Sequence, residues 1–223
     1  MTDNADLVIR GGTIADGSGG ELFEADVAIK DGRIAAVEQK IDPAQALKTV
    51  NVAGLYVTPG LIDIHVQVPA LKQGFLPDSI STDLHITSMN SGMKDMLNVM
   101  DKFLAMGLSM EDVIKRSTWN PAREIRHEEL GHLSVGALAD VAVLRVENGK
   151  FGFTDMYGAK LQGTQRLACE LTIRNGKVVY DLNGVSRPDW QTLPKDYTNT
   201  GDARWDAVSP VRRPGGRGAP QKQ

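Results

Sequence analysis

Two short segments carry the side chains best suited to chemistry. In Leu61-Ile62-Asp63-Ile64-His65-Val66-Gln67, an aspartate and a histidine stand two residues apart in an apolar run. In Ile80-Ser81-Thr82-Asp83-Leu84-His85, the same pair recurs at the same spacing. Residues two apart on a strand point to one side. Read as strands, the two segments place Asp63 with His65, and Asp83 with His85, each pair on one face. A carboxylate beside an imidazole is a proton-transfer pair. A polar pair at the C-terminal end of a buried strand is where an α/β barrel carries its site. The other candidates read as structural. His127 and His132 lie in a charged, loop-like stretch, Asp140 stands at a strand entry, and the lone Cys169 reads as a buried thiol.

The elements that must hold these residues are legible around them. Toward the N-terminus the pattern is β. Leu7-Val8-Ile9 runs through Arg10-Gly11-Gly12 into Thr13-Ile14, and Ala25–Ile29 alternates up to Asp31-Gly32 before resuming at Ile34–Val37. Asp-Gly between alternating apolar runs predicts a type I′ hairpin. Leu171–Arg174, Asn175-Gly176 and Lys177–Tyr180 repeat that signal near the other end, so Ile-Arg-Gly-Gly, Ile-Lys-Asp-Gly and Ile-Arg-Asn-Gly read as one recurring hairpin type. Each hairpin needs a second sheet to bury its apolar face. The middle is α. Met93, Met96, Leu97, Met100, Phe103 and Leu104 follow a helical period that stops at Gly107; Ser109 caps a next helix, and Asn120-Pro121 opens another. Leu138–Leu144 returns to strand.

The fold class read from this order is α+β / α/β. A composite β-sandwich is expected from residues 1–57 and 135–185 and an extended or disordered tail from 186–223; residues 58–134 are expected to form a truncated remnant of a (β/α)₈ metallohydrolase barrel, as the resemblance below implies. The tail is rich in proline and glycine, and 207–223 carry Arg212, Arg213, Arg217 and Lys222 with no acid.

The barrel reading comes from a resemblance. Gly54-Leu55-Tyr56-Val57-Thr58-Pro59-Gly60-Leu61-Ile62-Asp63-Ile64-His65 is similar to the first barrel strand of the amidohydrolase superfamily, in its dihydroorotase, hydantoinase and deacetylase branch. Leu7–Ile14 and Asp26–Ile34 resemble that family's N-terminal strands. Asn120–Arg123, Gly131–Gly136 and Ala139–Val143 resemble its C-terminal signature. The resemblance implies a hydrolase of C–N bonds in cyclic amides or N-acyl compounds, using one or two divalent metals, zinc foremost. It implies His65 as a metal ligand, and Asp83 as both metal ligand and catalytic base. Asp63, His85 and Gln67 are then supporting residues around the metal. A metal lowers the pKa of bound water to about 7, and a carboxylate within reach accepts its proton.

The sequence departs from the family in two ways. Gln67 stands where the family has its second strand-end histidine, and glutamine is a poor zinc ligand beside imidazole. The family's middle-strand ligands have no counterpart, and the chain passes from the first-strand motif at His65 to the last-strand motif at Asp83 in 18 residues. Positions 66–137 hold room for two or three β/α units of about 30 residues each. A whole barrel takes about 250. The seam falls near Val66–Val68. Three readings stay open: a hydrolase, a non-catalytic binding or self-association module, and part of a longer enzyme.

Composition bounds the partners. With 41% hydrophobic and 24% charged residues, the chain is of ordinary globular type. Its net charge of −3 offers no basic field for nucleic acid. No apolar run reaches a membrane span. One cysteine fits a cytoplasmic setting. The expected partners are a small-molecule amide and a second copy of the chain, with neither nucleic acid nor membrane.

Overall fold

The computed structural model describes residues 4–63, 76–90, 92–155 and 157–192. In chain order the elements are β1 (Leu7–Ile14), β2 (Phe23–Lys30), β3 (Arg33–Glu38), β4 (Thr49–Asn51), β5 (Tyr56–Pro59), α1 (Ile86–Asn90), α2 (Met96–Ala105), α3 (Met110–Ser117), α4 (Trp119–Glu124), β6 (Val141–Thr154), β7 (Lys160–Arg174) and β8 (Lys177–Asp181). This is an α+β arrangement with one large sheet. Residues 4–187 form one unit. In the unit that follows, the described residues 188–192 carry a 3₁₀ turn at Trp190–Thr192, opened by the Asp189 carboxylate accepting the N–H of Gln191 at 2.8 Å.

The strands follow one hydrogen-bonded path, β3-β2-β1-β5-β6-β7-β8, with β4 also paired to β1. Strands from both parts of the chain join where β5 meets β6, with Val57 opposite Val143. The two sheets expected of a sandwich are here one continuous path. It buries one face along its whole width: Val27 opposes Ile9, Val57 opposes Ile14, and Leu171 opposes Val143, all at most 1% exposed. Burial of such rows is the main favourable term in holding the sheet.

Parity along β1 depends on a bulge. Ile9 and Ile14 are five residues apart, an odd step that would put them on opposite faces. The register shifts between Ile9 and Gly12, inserting one extra residue with Gly11 at φ +69°. The buried carboxylate of Asp26 accepts the N–H of Gly11 at 2.8 Å and that of Ile41 at 2.9 Å. Ile-Arg-Gly-Gly, expected as a hairpin, is therefore a bulge within one strand. Gly12 stays open because Val57 packs where its Cβ would lie.

The two Asx-Gly hairpins form as expected, with positive φ at both turn residues: Asp31 +50°, Gly32 +74°, Asn175 +48° and Gly176 +74°. Their turns meet. Gly32 O accepts the N–H of Ala139, and Ala139 O accepts the N–H of Gly176. Arg33 also pairs with Leu138. The path curls until its first and last hairpins touch through residues 138–139, which shields its inner face.

The other face of β6 and β7 is covered by helices. Val99, Met100 and Phe103 of α2 join Val113 and Ile114 of α3, packed with Ala142, Leu144 and Leu167. The methionine stripe is thus helix core. α2 is capped by Asp95 and α3 by Ser109, through the amides of Asn98 and Asp112. The β6–β7 hairpin runs far beyond the expected strand ends, to Thr154 and Lys160. Its outer half mixes Glu, Asn, Lys, Gln and Arg with glycine and with Phe151, Phe153 and Leu161, which hides the period. Among the described residues, no helix is long and apolar enough to cross a membrane.

Candidate active site

Leu61–Asp63 and Ser81–Leu84 form no strand. The chain leaves the sheet at Gly60, whose N–H is accepted by Asp140 O at 2.7 Å. The backbone donors of the two segments then go to the end of α3 and not to a neighbouring ladder. Ile62 N–H bonds Ser117 O at 2.9 Å, and Ile80 N–H bonds Arg116 O at 2.8 Å. Buried amides must find acceptors, and the last carbonyls of a helix have no partners inside it. The expected strands are replaced for this reason.

Side chains complete the seat of residues 77–82. The Arg116 guanidinium donates to Pro77 O, Asn120 Nδ2 to Asp78 O at 2.6 Å, and Ser79 Oγ to Glu124 Oε1 at 2.5 Å. Asn120 was expected to cap a helix. It lies instead inside α4, which starts at Trp119, and clamps the opposing loop.

This seat brings Asp63 to the second segment. Its Oδ1 accepts the Ser81 hydroxyl at 2.7 Å and the Thr82 N–H at 2.8 Å, and its Oδ2 accepts the Thr82 hydroxyl. Ser81 Oγ in turn accepts the N–H of Asp83 at 3.2 Å. Asp83 adopts φ +48°, a conformation uncommon outside glycine. Its carboxylate lies 3.6 Å from His85 Nε2, with both side chains partly exposed. His85 Nδ1 accepts the N–H of Thr87 at 3.2 Å. The Asp63 carboxylate thus holds the Ser81-Thr82 pair that leads into Asp83, and Asp83 faces His85. His65 and Gln67 lie outside the described residues. Ser81 and Thr82 were not singled out from sequence. The signal available was two adjacent hydroxyl residues directly before an aspartate, a common side-chain capping pattern.

The remaining candidates stand elsewhere. His127 Nδ1 is 2.8 Å from Glu129 Oε1, and His132 Nε2 is 2.9 Å from Glu128 O, its ring edge-on to Trp119. Asp140 accepts the N–H of Asn175 at 2.6 Å, which ties the strand entry to the last hairpin. Cys169 is half-buried, with Sγ 3.3 Å from Thr172 Oγ1.

A catalytic zinc takes three protein ligands and a water. Asp83 and His85 offer two donors, and the Asp63 carboxylate is spent on hydroxyl and amide donors. Among the described residues, no group of three or more His, Cys, Asp or Glu is placed to hold a metal ion. The described donor set does not fit a catalytic zinc.

A model of the amidohydrolase family matches residues 67–180. The chain belongs to that family. Within it, the chain is similar to a deacetylase of Brucella anthropi, 39% identical over 89 residues, covering 40% of this chain and 22% of that protein. It is also similar to an adenine deaminase of Listeria welshimeri, 33% identical over 135 residues, covering 56% and 22%. The matched chain spans about a fifth of the length of these relatives. In fold it is similar to the crystal structure of an adenine deaminase, with a TM-score of 0.71 and 14% identity over 80% of this chain and all of that one.

Proposed function

We propose that this amidohydrolase chain descends from a metal-dependent hydrolase of non-peptide C–N bonds, of the cyclic-amide or N-acyl type, and is catalytically incomplete as it stands. Asp83 is its retained active-site carboxylate and His65 its retained strand-end histidine. The observation that carries the reading is the direct contact of Asp63 with Ser81 and Thr82. A closed barrel sets its first strand beside its last. Loss of the strands between would leave those two ends as neighbours, with little rearrangement. The same loss removes the ligands that middle strands supply. The family match supports this, since it begins at residue 67, at the seam.

The test uses the purified chain with added zinc, assayed against N-acetyl amino acids, a cyclic ureide and adenine. The expected result is no turnover above the buffer rate, and less than one zinc per chain by elemental analysis. Turnover that disappears in Asp83→Asn would overturn incompleteness and restore the hydrolase.

A self-association role is favoured by one further observation. Leu84, Ile86 and Met89 expose 53%, 79% and 51% of their surface within six residues. Clustered exposed apolar side chains mark contact surfaces.

A further inference from the structure

We infer that Asp63 is a positioning residue that, through the Ser81 hydroxyl, fixes the peptide plane entering Asp83. The inference rests on the reading of Asp83 as the site carboxylate only for its functional meaning. Its physical basis is a relay of hydrogen bonds with defined direction.

Ser81 and Thr82 are 2% and 0% exposed, so their hydroxyls must find acceptors within the protein. Both give their protons to the Asp63 carboxylate, which also takes the Thr82 N–H. A hydroxyl has one proton and two lone pairs. With its proton committed to Asp63, the Ser81 oxygen can only accept toward the next donor, and it accepts the N–H of Asp83. That bond fixes the plane of the peptide joining residues 82 and 83; from this plane residue 83 turns at φ +48°, with its carboxylate 3.6 Å from His85 Nε2. An ionised carboxylate is acceptor-only, and three donors converge on this one. In Asp63→Asn, one oxygen becomes an NH₂ donor facing donors. The relay loses its direction, and the Ser81 hydroxyl is free to rotate away from Asp83.

The test is NMR on the intact chain, well below the thermal midpoint of each variant. Amide exchange reports the N–H of residue 83. In Asp63→Asn, Asp83 N–H exchange is expected to be faster by about fivefold to tenfold, the loss of one hydrogen bond. Amides of β1 and β6 stay unchanged. Ser81→Ala is expected to free the Asp83 N–H in the same way while leaving Thr82 bound to Asp63. It serves as the probe if Asp63→Asn does not fold. Unchanged exchange of the Asp83 N–H in both variants would overturn the inference, whatever they do to melting temperature. The readout needs neither metal nor turnover. Turnover that disappears in Asp83→Asn overturns the reading of an incomplete site alone, and an Asp83 N–H whose exchange ignores Asp63 removes the positioning role alone.

Discussion

The N–H of Thr82 is accepted by the carboxylate of Asp63 at 2.8 Å, across 19 positions of sequence. Asp63 follows the last strand of the N-terminal half of the sheet, and Thr82 precedes the first helix. Their contact closes the helical part of the chain onto the exit from β5. The sheet, the helices α3 and α4 and the candidate site are thereby one construction.

That construction depends on the clamps from α3 and α4. Asn120→Ala removes the amide that holds Asp78 O, and Glu124→Ala strands the Ser79 hydroxyl. Each is expected to cost about 1 kcal/mol, the usual worth of a hydrogen bond of this kind. Urea unfolding checks the value. Amide exchange at Ile80 and Thr82 is expected to rise more than exchange in the sheet.

The meeting of the two hairpins sets a second expectation. A Cβ on Gly32 would sit 2.3 Å from Asn175 Oδ1, and one on Gly176 would sit 3.0 Å from Gly32 Cα. Both glycines also hold positive φ. Gly32→Ala and Gly176→Ala are each expected to destabilise by about 1–3 kcal/mol, combining left-handed strain with the clash. Their effects should be non-additive, because the two residues touch. A double-mutant cycle in urea reads this directly.

Acid should stabilise the fold through Asp101. Its carboxyl is 2% exposed on α2 and accepts the N–H of Leu167 in β7 at 2.8 Å. Burial pushes its pKa up to about 7, against the Leu167 bond, which pulls it down. Asp95 and Glu147 add to the rise, and Arg166 opposes it. The folded state thus holds a proton that the unfolded state releases near pH 4. The stabilisation is complete below about pH 4 and is lost as pH rises through about 7. Asp101→Asn keeps an acceptor for Leu167 and removes the titration. Thermal midpoints between pH 5 and 8 are expected to fall for the native chain relative to Asp101→Asn. Parallel pH profiles would count against the buried proton.

Self-association has a direct check. Ile86 and Met89 lie three apart on α1 and share a face. Light scattering of the native chain is expected to show a mass above the monomer, and Ile86→Glu should return it to monomer. A native monomer at micromolar concentration would remove this role.

Local chemistry carries across directly from sequence. The Asx-Gly turns at 31–32 and 175–176 need left-handed backbone and little else, so the hairpins form where the residues say. The helix at Met96–Ala105 follows from its apolar period and the stop at Gly107. Family membership rests on motifs of the same kind, written in short stretches around Asp63, Asp83 and Asn120. Three features belonged to the tertiary structure. The bulge at Gly11 depends on the Asp26 carboxylate, 15 residues away. The β6–β7 hairpin hides its period because its outer half mixes charged and amide side chains and glycines with Phe151, Phe153 and Leu161. The strands expected at Asp63 and Asp83 give way because α3 offers its own carbonyls to Ile62 and Ile80. Periodicity states which face a residue prefers. Which acceptor a buried N–H finds is decided only when distant segments meet, and here that choice placed Asp63 beside Thr82 and turned Asp83 toward His85.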